Sequence, residues 1–313
     1  MQAAAVRRVG YAHHVGYSPT YNWLRLTRLR EITRNMADLR GKTIFITGSS
    51  RGIGREIALR CARDGAKLVI TGKTAEPHAR LPGTIHSVAD EVVQAGGQAL
   101  AIQLDVRDEQ AIRDAVALVA EKFGGIDVLV NNASAISLSS TLETSAKRLD
   151  LMWDVNMRAT FLMSQACIPH LMRAANPHIL TLSPPLNMDA KWFAPHLAYT
   201  MSKYGMSLCT LGMAREFAAD GSGVKGIGVN CLWPRTTIAT AAIEYNFPEA
   251  VLRASRKPAI VADAAHHILT RGSRDCSGNF FIDEDVLRAA GVEDFGQYAV
   301  TVGEPLFNDL FLN

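Results

Sequence analysis

The 313-residue chain has no marked excess of either charge: 33 Lys and Arg stand against 30 Asp and Glu, a formal net of +3. Such a balance creates no field for recruiting nucleic acid or an anionic membrane, so no nucleic-acid partner is expected and a small molecule is favoured. Cysteine pairing is also missing. Cys61, Cys167, Cys209, Cys231 and Cys276 are scattered without a CxxC, most among apolar residues. That suits core filling in a reducing compartment. No apolar run approaches the ~18 residues that span a bilayer, and IDVLV (126–130) is soon bounded by polar residues. His266 and His267 lack a second His or Cys cluster, so no metal site is expected. Of the tryptophans Trp23, Trp153, Trp192 and Trp233, none is interleaved with basic residues as single-strand nucleic-acid binding requires. Trp192 and Trp233 instead suit the walls of an apolar pocket.

Residues 1–38 read as an N-terminal extension. The first 30 residues hold Arg7, Arg8, Arg25, Arg28 and Arg30 and no acid, the composition of a mitochondrial presequence. Met36 opens MADLRGKTIFITG, a natural start that would make residues 1–35 an upstream mis-start or a disordered leader. The cytoplasm is the expected compartment, with the mitochondrion as the alternative if residues 1–35 are a genuine presequence. Residues 39–285 are expected to form one domain, and 286–313 a C-terminal tail too short for another. The ending FLN is not a peroxisomal address.

From Lys42 onward, β-rich runs alternate with segments of helical period, the pattern of a parallel sheet covered on both faces. The expected strands are TIFIT (43–47), KLVIT (67–71), QALAIQL (98–104), IDVLV (126–130), HILTL (178–182), KGIGVNCL (225–232) and NFFID (279–283). Together they predict an α/β, doubly wound (Rossmann) seven-stranded parallel sheet with helices on both faces. The helices expected over 52–65 and 109–124 each end in glycine. Two long connections, 72–84 and 233–258, break the rhythm, and such segments commonly carry function.

TGSSRGIG (47–54) lies between the first strand and the first helix. Gly48 permits the tight turn, Gly52 the approach of a pyrophosphate, and Gly54 close helix packing; helix amides supply phosphate donors. Gly48, Ser49, Ser50, Arg51, Gly52, Ile53 and Gly54 are therefore expected against the cofactor. About 20 residues on, where an acid would hold a ribose 2′-hydroxyl, the sequence has Lys73. Lys73 and Arg51, with no acid nearby in sequence, favour NADP over NAD. Asp105 could accept from the adenine amino group, with Val106 packed on the ring, or could cap the helix starting near Asp108. Asn131 and Asn132, after the fourth strand, either hold the loop or line the cofactor.

Tyr199 and Lys203, four residues apart, share one helix face. A neighbouring ammonium favours the phenolate, drawing the phenol from its usual ~10 toward the working range of an acid-base catalyst. TGSSRGIG, NNAS, DVNMRAT, LTLS and YTMSK, in that order, resemble the short-chain dehydrogenase/reductase family from about Leu39 to Asp283. The resemblance implies an NADP-dependent oxidoreductase interconverting a carbonyl and a secondary alcohol, with an apolar, fatty acyl or steroid-like substrate as the expectation. Tyr199 would exchange the proton at the substrate oxygen, and Lys203 would lower its pKa and bind the nicotinamide ribose. Asn156 would hold a water leading from Lys203 to solvent; its neighbours Val155 and Met157 leave open instead a mid-helix polar residue on the outer face. Members usually pair through the long helix that here includes 199–218, implying a homo-oligomer, a dimer or tetramer.

Two positions depart from the family pattern. Aligned by the strand, HILTLSPP puts Pro184 where the substrate-binding serine belongs, and proline cannot donate. Ser183 is the candidate in its place. After the sixth strand Pro234 is followed by Arg235, then Thr236, Thr237 and Thr240; Thr237 is the expected nicotinamide contact. Arg235 is either a surface cation or a lure for an anionic substrate such as an acyl-CoA. These departures leave a competing class open, a nucleotide-binding protein of the same fold with little or no turnover.

Overall fold

The computed structural model describes residues 38–77, 83–219 and 226–312. The expected extension lies outside these except for Asp38, as do Lys225, at the start of one expected strand, and Asn313. The seven expected strands form one parallel sheet in the order β3-β2-β1-β4-β5-β6-β7. They are β1 (Thr43–Ile46), β2 (Lys67–Gly72), β3 (Gln98–Gln103), β4 (Val128–Asn131), β5 (His178–Leu182), β6 (Gly228–Trp233) and β7 (Phe280–Ile282). Boundaries differ from expectation by a few residues. β4 starts at Val128, two residues later than expected, although the Asp127 backbone still bonds to Thr43 and His178 and its carboxylate accepts from the Thr43 amide at 2.9 Å.

Strands buried on both faces explain the near-continuous apolar runs. In β1, Ile44 and Ile46 point to one layer with Leu68 and Ile70 of β2, whereas Phe45 and Val69 point to the other. The first layer is covered by α1 (Gly52–Ala62), α2 (Ile85–Gln94) and α9 (Ala259–Leu269), through Ile57, Val88 and Ile260 among others. The second is covered by α3 (Glu109–Phe123), α5 (Ala159–Leu171) and α6 (Leu197–Glu216), through Ile112, Met163 and Met213. Helix ends follow their local chemistry. Asp108 caps α3 by accepting from the amides of Gln110 and Ala111, and Gly124 closes it in the left-handed region, φ 86°. Asp108 thus takes the capping role that the sequence left open for Asp105.

Strand order reverses direction between β1 and β4, and the loops leaving their carboxyl ends diverge there, opening the crevice where such sheets hold ligands. α4 (Ala146–Met152) runs into α5 through a π-helical turn, Trp153–Arg158. The long connection after β6 contains α7 (Ala241–Asn246) and α8 (Glu249–Arg253), and α10 (Asp283–Ala289) follows β7 directly.

Candidate active site

The glycine loop is shaped by what its glycines face. Gly48 has φ 66°, and a Cβ there would stand 3.0 Å from the Ala133 Cα; one on Gly54 would meet the Asn132 Nδ2 at 2.6 Å. Asn132 donates from Nδ2 to the carbonyls of Thr47 and Gly48, both at 2.9 Å, and its amide donates to the Thr47 hydroxyl at 3.0 Å. It holds the loop and also lines the adjoining cavity. Ser49 is buried, bonded to Ile46 and Thr71, so its hydroxyl joins β1 to β2.

A cavity of about 700 Å³ opens along this loop, lined by Gly48, Ser50, Arg51, Gly52, Ile53, Lys73, Asp105, Val106 and Asn132 among others. All but Ser49 and Gly54 of the residues expected on the adenosine and phosphate side thus border one space. Gly52, with φ 57°, leaves a cradle between α1 and Thr240, whose Cγ2 would be 3.4 Å from an added Cβ. A pyrophosphate fits such a lining of glycine backbone at a helix start. Arg51 reaches the Thr74 hydroxyl at 2.9 Å, so Arg51 and Lys73 converge after β2.

Asp105 changes the expected electrostatics. Its carboxylate lies 3.2 Å from Lys73 and 2.6 Å from Arg107, so an acid absent from the end of β2 is supplied from the loop after β3. Hydrogen bonding from Arg107, then from Lys73, outweighs partial burial and holds its carboxyl far below the usual range. The cause missed by the sequence is sheet pairing: Gly72 and Gln103 lie side by side in β2 and β3, bringing the loops after both strands together.

At the other end, α6 packs tightly because small residues face inward. A Cβ on Gly205 would lie 2.5 Å from the Met157 side chain, so glycine permits the helix to rest on the π-helical turn. That turn carries Asn156, which is fully buried rather than on an outer face. Its Oδ1 accepts from the Ala135 amide at 2.7 Å, and its Nδ2 donates to the Ala135 carbonyl and to the Ser202 hydroxyl, each at 2.9 Å. Asn156 thereby ties the loop after β4 to α6 between Tyr199 and Lys203.

Tyr199 and Lys203 are both buried on α6 beside the end of β5. The Lys203 ammonium donates to the Leu182 carbonyl at 2.7 Å and sits 5.1 Å over the Trp233 ring. Burial pushes it down to about 8, although Asp309 opposes the shift. Tyr199 departs from expectation: burial drives its phenol well above the ordinary value, and Asp309 pushes the same way. The ammonium expected to lower it is turned toward Leu182 and Trp233, while an unforeseen carboxylate stands near both. Burial holds that Asp309 carboxyl up at about 7.

Two residues expected to contact ligand have their hydroxyls engaged within the fold. Ser183 is fully buried with its hydroxyl 3.1 Å from the Cys231 sulfur, between β5 and β6, and it makes no hydrogen bond to Tyr199 or Lys203. Thr237 is buried with its hydroxyl 2.7 Å from that of Ser255, away from the cavity lining. Ala239 and Thr240 border the cavity instead, because the chain after Thr237 turns back toward α1. Arg235 is held 2.6 Å from Asp285 and 3.7 Å from Glu284, so its charge is answered within the fold.

The sequence reading missed Phe311. It is 1% exposed and touches Trp192, His196, Tyr199, Tyr204 and Trp233, at ring-centre distances from 5.3 to 6.3 Å. The anticipated apolar walls, Trp192 and Trp233, are present, but residues of the expected tail lie between them. Among the described residues no cluster suited to a metal is found, and no helix is long and apolar enough to cross a membrane.

Residues 42–248 match the family model described as short chain dehydrogenase. The chain is 54% identical over 280 residues to hydroxysteroid dehydrogenase-like protein 2 of Danio rerio, covering 90% of this chain and 66% of that protein. It thus spans just under two thirds of that relative's length. Among solved structures, a dehydrogenase from Xanthomonas campestris is 52% identical with a TM-score of 0.84, covering 88% of this chain and all of that one. A short chain dehydrogenase of Burkholderia cenocepacia in complex with NADP is 30% identical (TM-score 0.66; 79% of this chain, 97% of that one). A 7α-hydroxysteroid dehydrogenase complexed with NADH and 7-oxo glycochenodeoxycholic acid is 26% identical (TM-score 0.67; 78% and 93%).

Proposed function

The chain belongs to the short chain dehydrogenase family, and on that premise we propose that it is an NADP-dependent oxidoreductase interconverting a carbonyl and a secondary alcohol on an apolar, fatty acyl or steroid-like substrate. The observation that carries the reading is the burial of Tyr199 and Lys203 together on α6, beyond the phosphate cradle of Gly48 and Gly52. The nicotinamide cofactor, when bound, supplies or accepts the hydride. Tyr199 holds the proton exchanged at the substrate oxygen. Lys203, whose ammonium burial already weakens, binds the ribose side of the site and stabilises the phenolate once a ligand turns it from Leu182. Asn156 acts as a positioning residue through its grip on Ala135 and Ser202.

The NADP preference rests on Lys73 just after β2, where an acid would grip a 2′-hydroxyl, and on Arg51 beside it. A 2′-phosphate would compete with Asp105 for Lys73. The alternative, a nucleotide-binding protein with little turnover, is favoured by the engaged Ser183 hydroxyl and the raised Tyr199 phenol. Incubation with NADPH or NADH and a panel of apolar ketones separates the two readings: carbonyl-dependent cofactor oxidation is expected, and tight binding with none would leave the alternative. The proposed compartment is the cytoplasm; N-terminal sequencing of native protein that showed residues 1–35 cleaved would move it to the mitochondrion. A homo-oligomer, dimer or tetramer, is proposed through the outer faces of α5 and α6, where Phe161, Leu208 and Leu211 are exposed. Light scattering reads this directly, and a monomer at micromolar concentration would end that part of the reading.

A further inference from the structure

We propose that the aromatic box of Trp192, His196, Tyr199, Tyr204 and Trp233 takes a flat apolar ring that bears the reacting carbonyl, and that Phe311 is an internal stand-in which this ligand displaces. The proposal rests on the oxidoreductase reading above and deepens it by naming what the site accepts and what must leave it.

Four observations carry it. The Phe311 ring is stacked on Tyr199 with planes 29° apart and centres 6.3 Å apart, while His196 and Trp233 meet it edge-on at 6.0 and 5.9 Å. These are the offset and edge-to-face arrangements that aromatic rings favour, so the box suits a ring-shaped guest. Second, Phe311 has φ 73°, the single positive value for a non-glycine residue among those described. A bulky side chain held in the left-handed region marks a segment constrained by its surroundings, as internal ligands and switches are.

Third, the segment carrying Phe311 is fastened by scattered bonds and forms no helix or sheet strand. Phe307 exchanges backbone bonds with Thr237 and Ala254, the Asp309 amide donates to the Arg235 carbonyl, and Trp233 Nε1 donates to the Leu310 carbonyl at 3.0 Å. Asn187 Nδ2 reaches the Phe311 carbonyl at 3.4 Å. Leu306 and Phe307, just before the buried ring, are exposed. Such a segment can detach without opening the sheet. Fourth, the cavity along the glycine loop is bordered by Ala133, Ser134 and Ala135 but by neither Tyr199 nor Lys203. With Phe311 seated, Tyr199 is covered, and Asp309, when ionised, opposes formation of the phenolate. Displacement of residues 309–312 would uncover the hydroxyl and move Asp309 away from it in one movement.

The test uses prodan, a neutral naphthyl ketone whose emission moves to the blue in apolar surroundings, with the full chain and with Phe311→Ala. The proposal expects Phe311→Ala to bind prodan at least tenfold more tightly, with loss of binding on adding the further change Trp233→Ala. In the wild type, saturating prodan should speed hydrogen exchange of the 307–312 amides while leaving β5 and β6 protected. If Phe311 is instead a fixed wall, the variant binds no better and exchange in 307–312 is unchanged or slowed; that result overturns the proposal. Both readouts are independent of turnover. A protein that binds prodan as expected but never oxidises NADPH would retain the box while losing the oxidoreductase reading. Should Phe311→Ala not fold, the wild-type exchange experiment decides alone.

Discussion

The two halves of the sheet's carboxyl edge are built differently. Beyond β1, β2 and β3 the edge is open: glycine backbone, a cavity of about 700 Å³, and charged side chains such as Lys73, Asp105 and Arg107. Beyond β5 and β6 it is closed, with Tyr199 and Lys203 under a cluster of aromatic rings that includes Phe311. An open crevice edged by charged side chains can admit a charged dinucleotide without rearrangement, whereas a filled, buried pocket shifts the ionisable groups inside it. This contrast accounts for the direction of the Tyr199 and Lys203 shifts, both set first by burial.

The largest expected effect separates the halves by function. Lys203→Met should lower turnover by roughly 10²- to 10⁴-fold, the range of a lost acid-base group. Binding of adenosine 2′,5′-bisphosphate, a ligand of the open half alone, should stay within a factor of three by calorimetry. Equal loss of both would erase the division.

Next comes the support of the closed half. Glu284 accepts from Arg256 and Arg288, both at 2.6 Å, with Arg256 almost wholly buried. Glu284→Ala should cost about 3–5 kcal/mol in denaturant unfolding, because it strands a buried guanidinium. Burial alone would raise the Glu284 carboxyl, but Arg256 and then Arg288 outweigh it and hold it low. Its contribution is therefore present above the unfolded carboxylate pKa and lost as pH falls through the lower folded value. A wild-type acid limb no steeper than that of Glu284→Gln would contradict this.

In the open half, Gly54→Ala forces a Cβ against the Asn132 amide and the Gly48 carbonyl. Overpacking of about 1–3 kcal/mol is expected, with weakened cofactor binding and an unchanged near-ultraviolet dichroism from the distant aromatic cluster. The smallest effect is Lys73→Ala, which should reduce the preference for NADP over NAD by about tenfold, equivalent to ~1.4 kcal/mol. If the ratio of the two affinities does not move, Lys73 serves Asp105 rather than a 2′-phosphate.

The same contrast governs what could be read before the fold was known. The sheet and the glycine loop were legible because period, strand composition and the spacing of Gly48, Gly52 and Gly54 are local properties. Tyr199 and Lys203 were legible because four residues are one helical turn. What escaped depends on long-range packing. Asp105 meets Lys73 only because β2 and β3 pair, and Ser183 finds Cys231 only because β5 and β6 do. For Asn156 the neighbouring residues left an outer-face position open, and only the π-helical turn carries it under Ala135. Phe311 and Asp309 lie more than a hundred residues from Tyr199, in a stretch without periodicity, and no spacing could bring them to the site.

The central claim is that Tyr199 performs proton transfer beside a cofactor bound in the open half. Its most direct test measures, in the same samples, NADPH binding by calorimetry and carbonyl-dependent NADPH oxidation for the wild type and Tyr199→Phe. The account predicts similar cofactor affinities, with oxidation in the variant at least a hundredfold slower. Oxidation at the wild-type rate in Tyr199→Phe would contradict it.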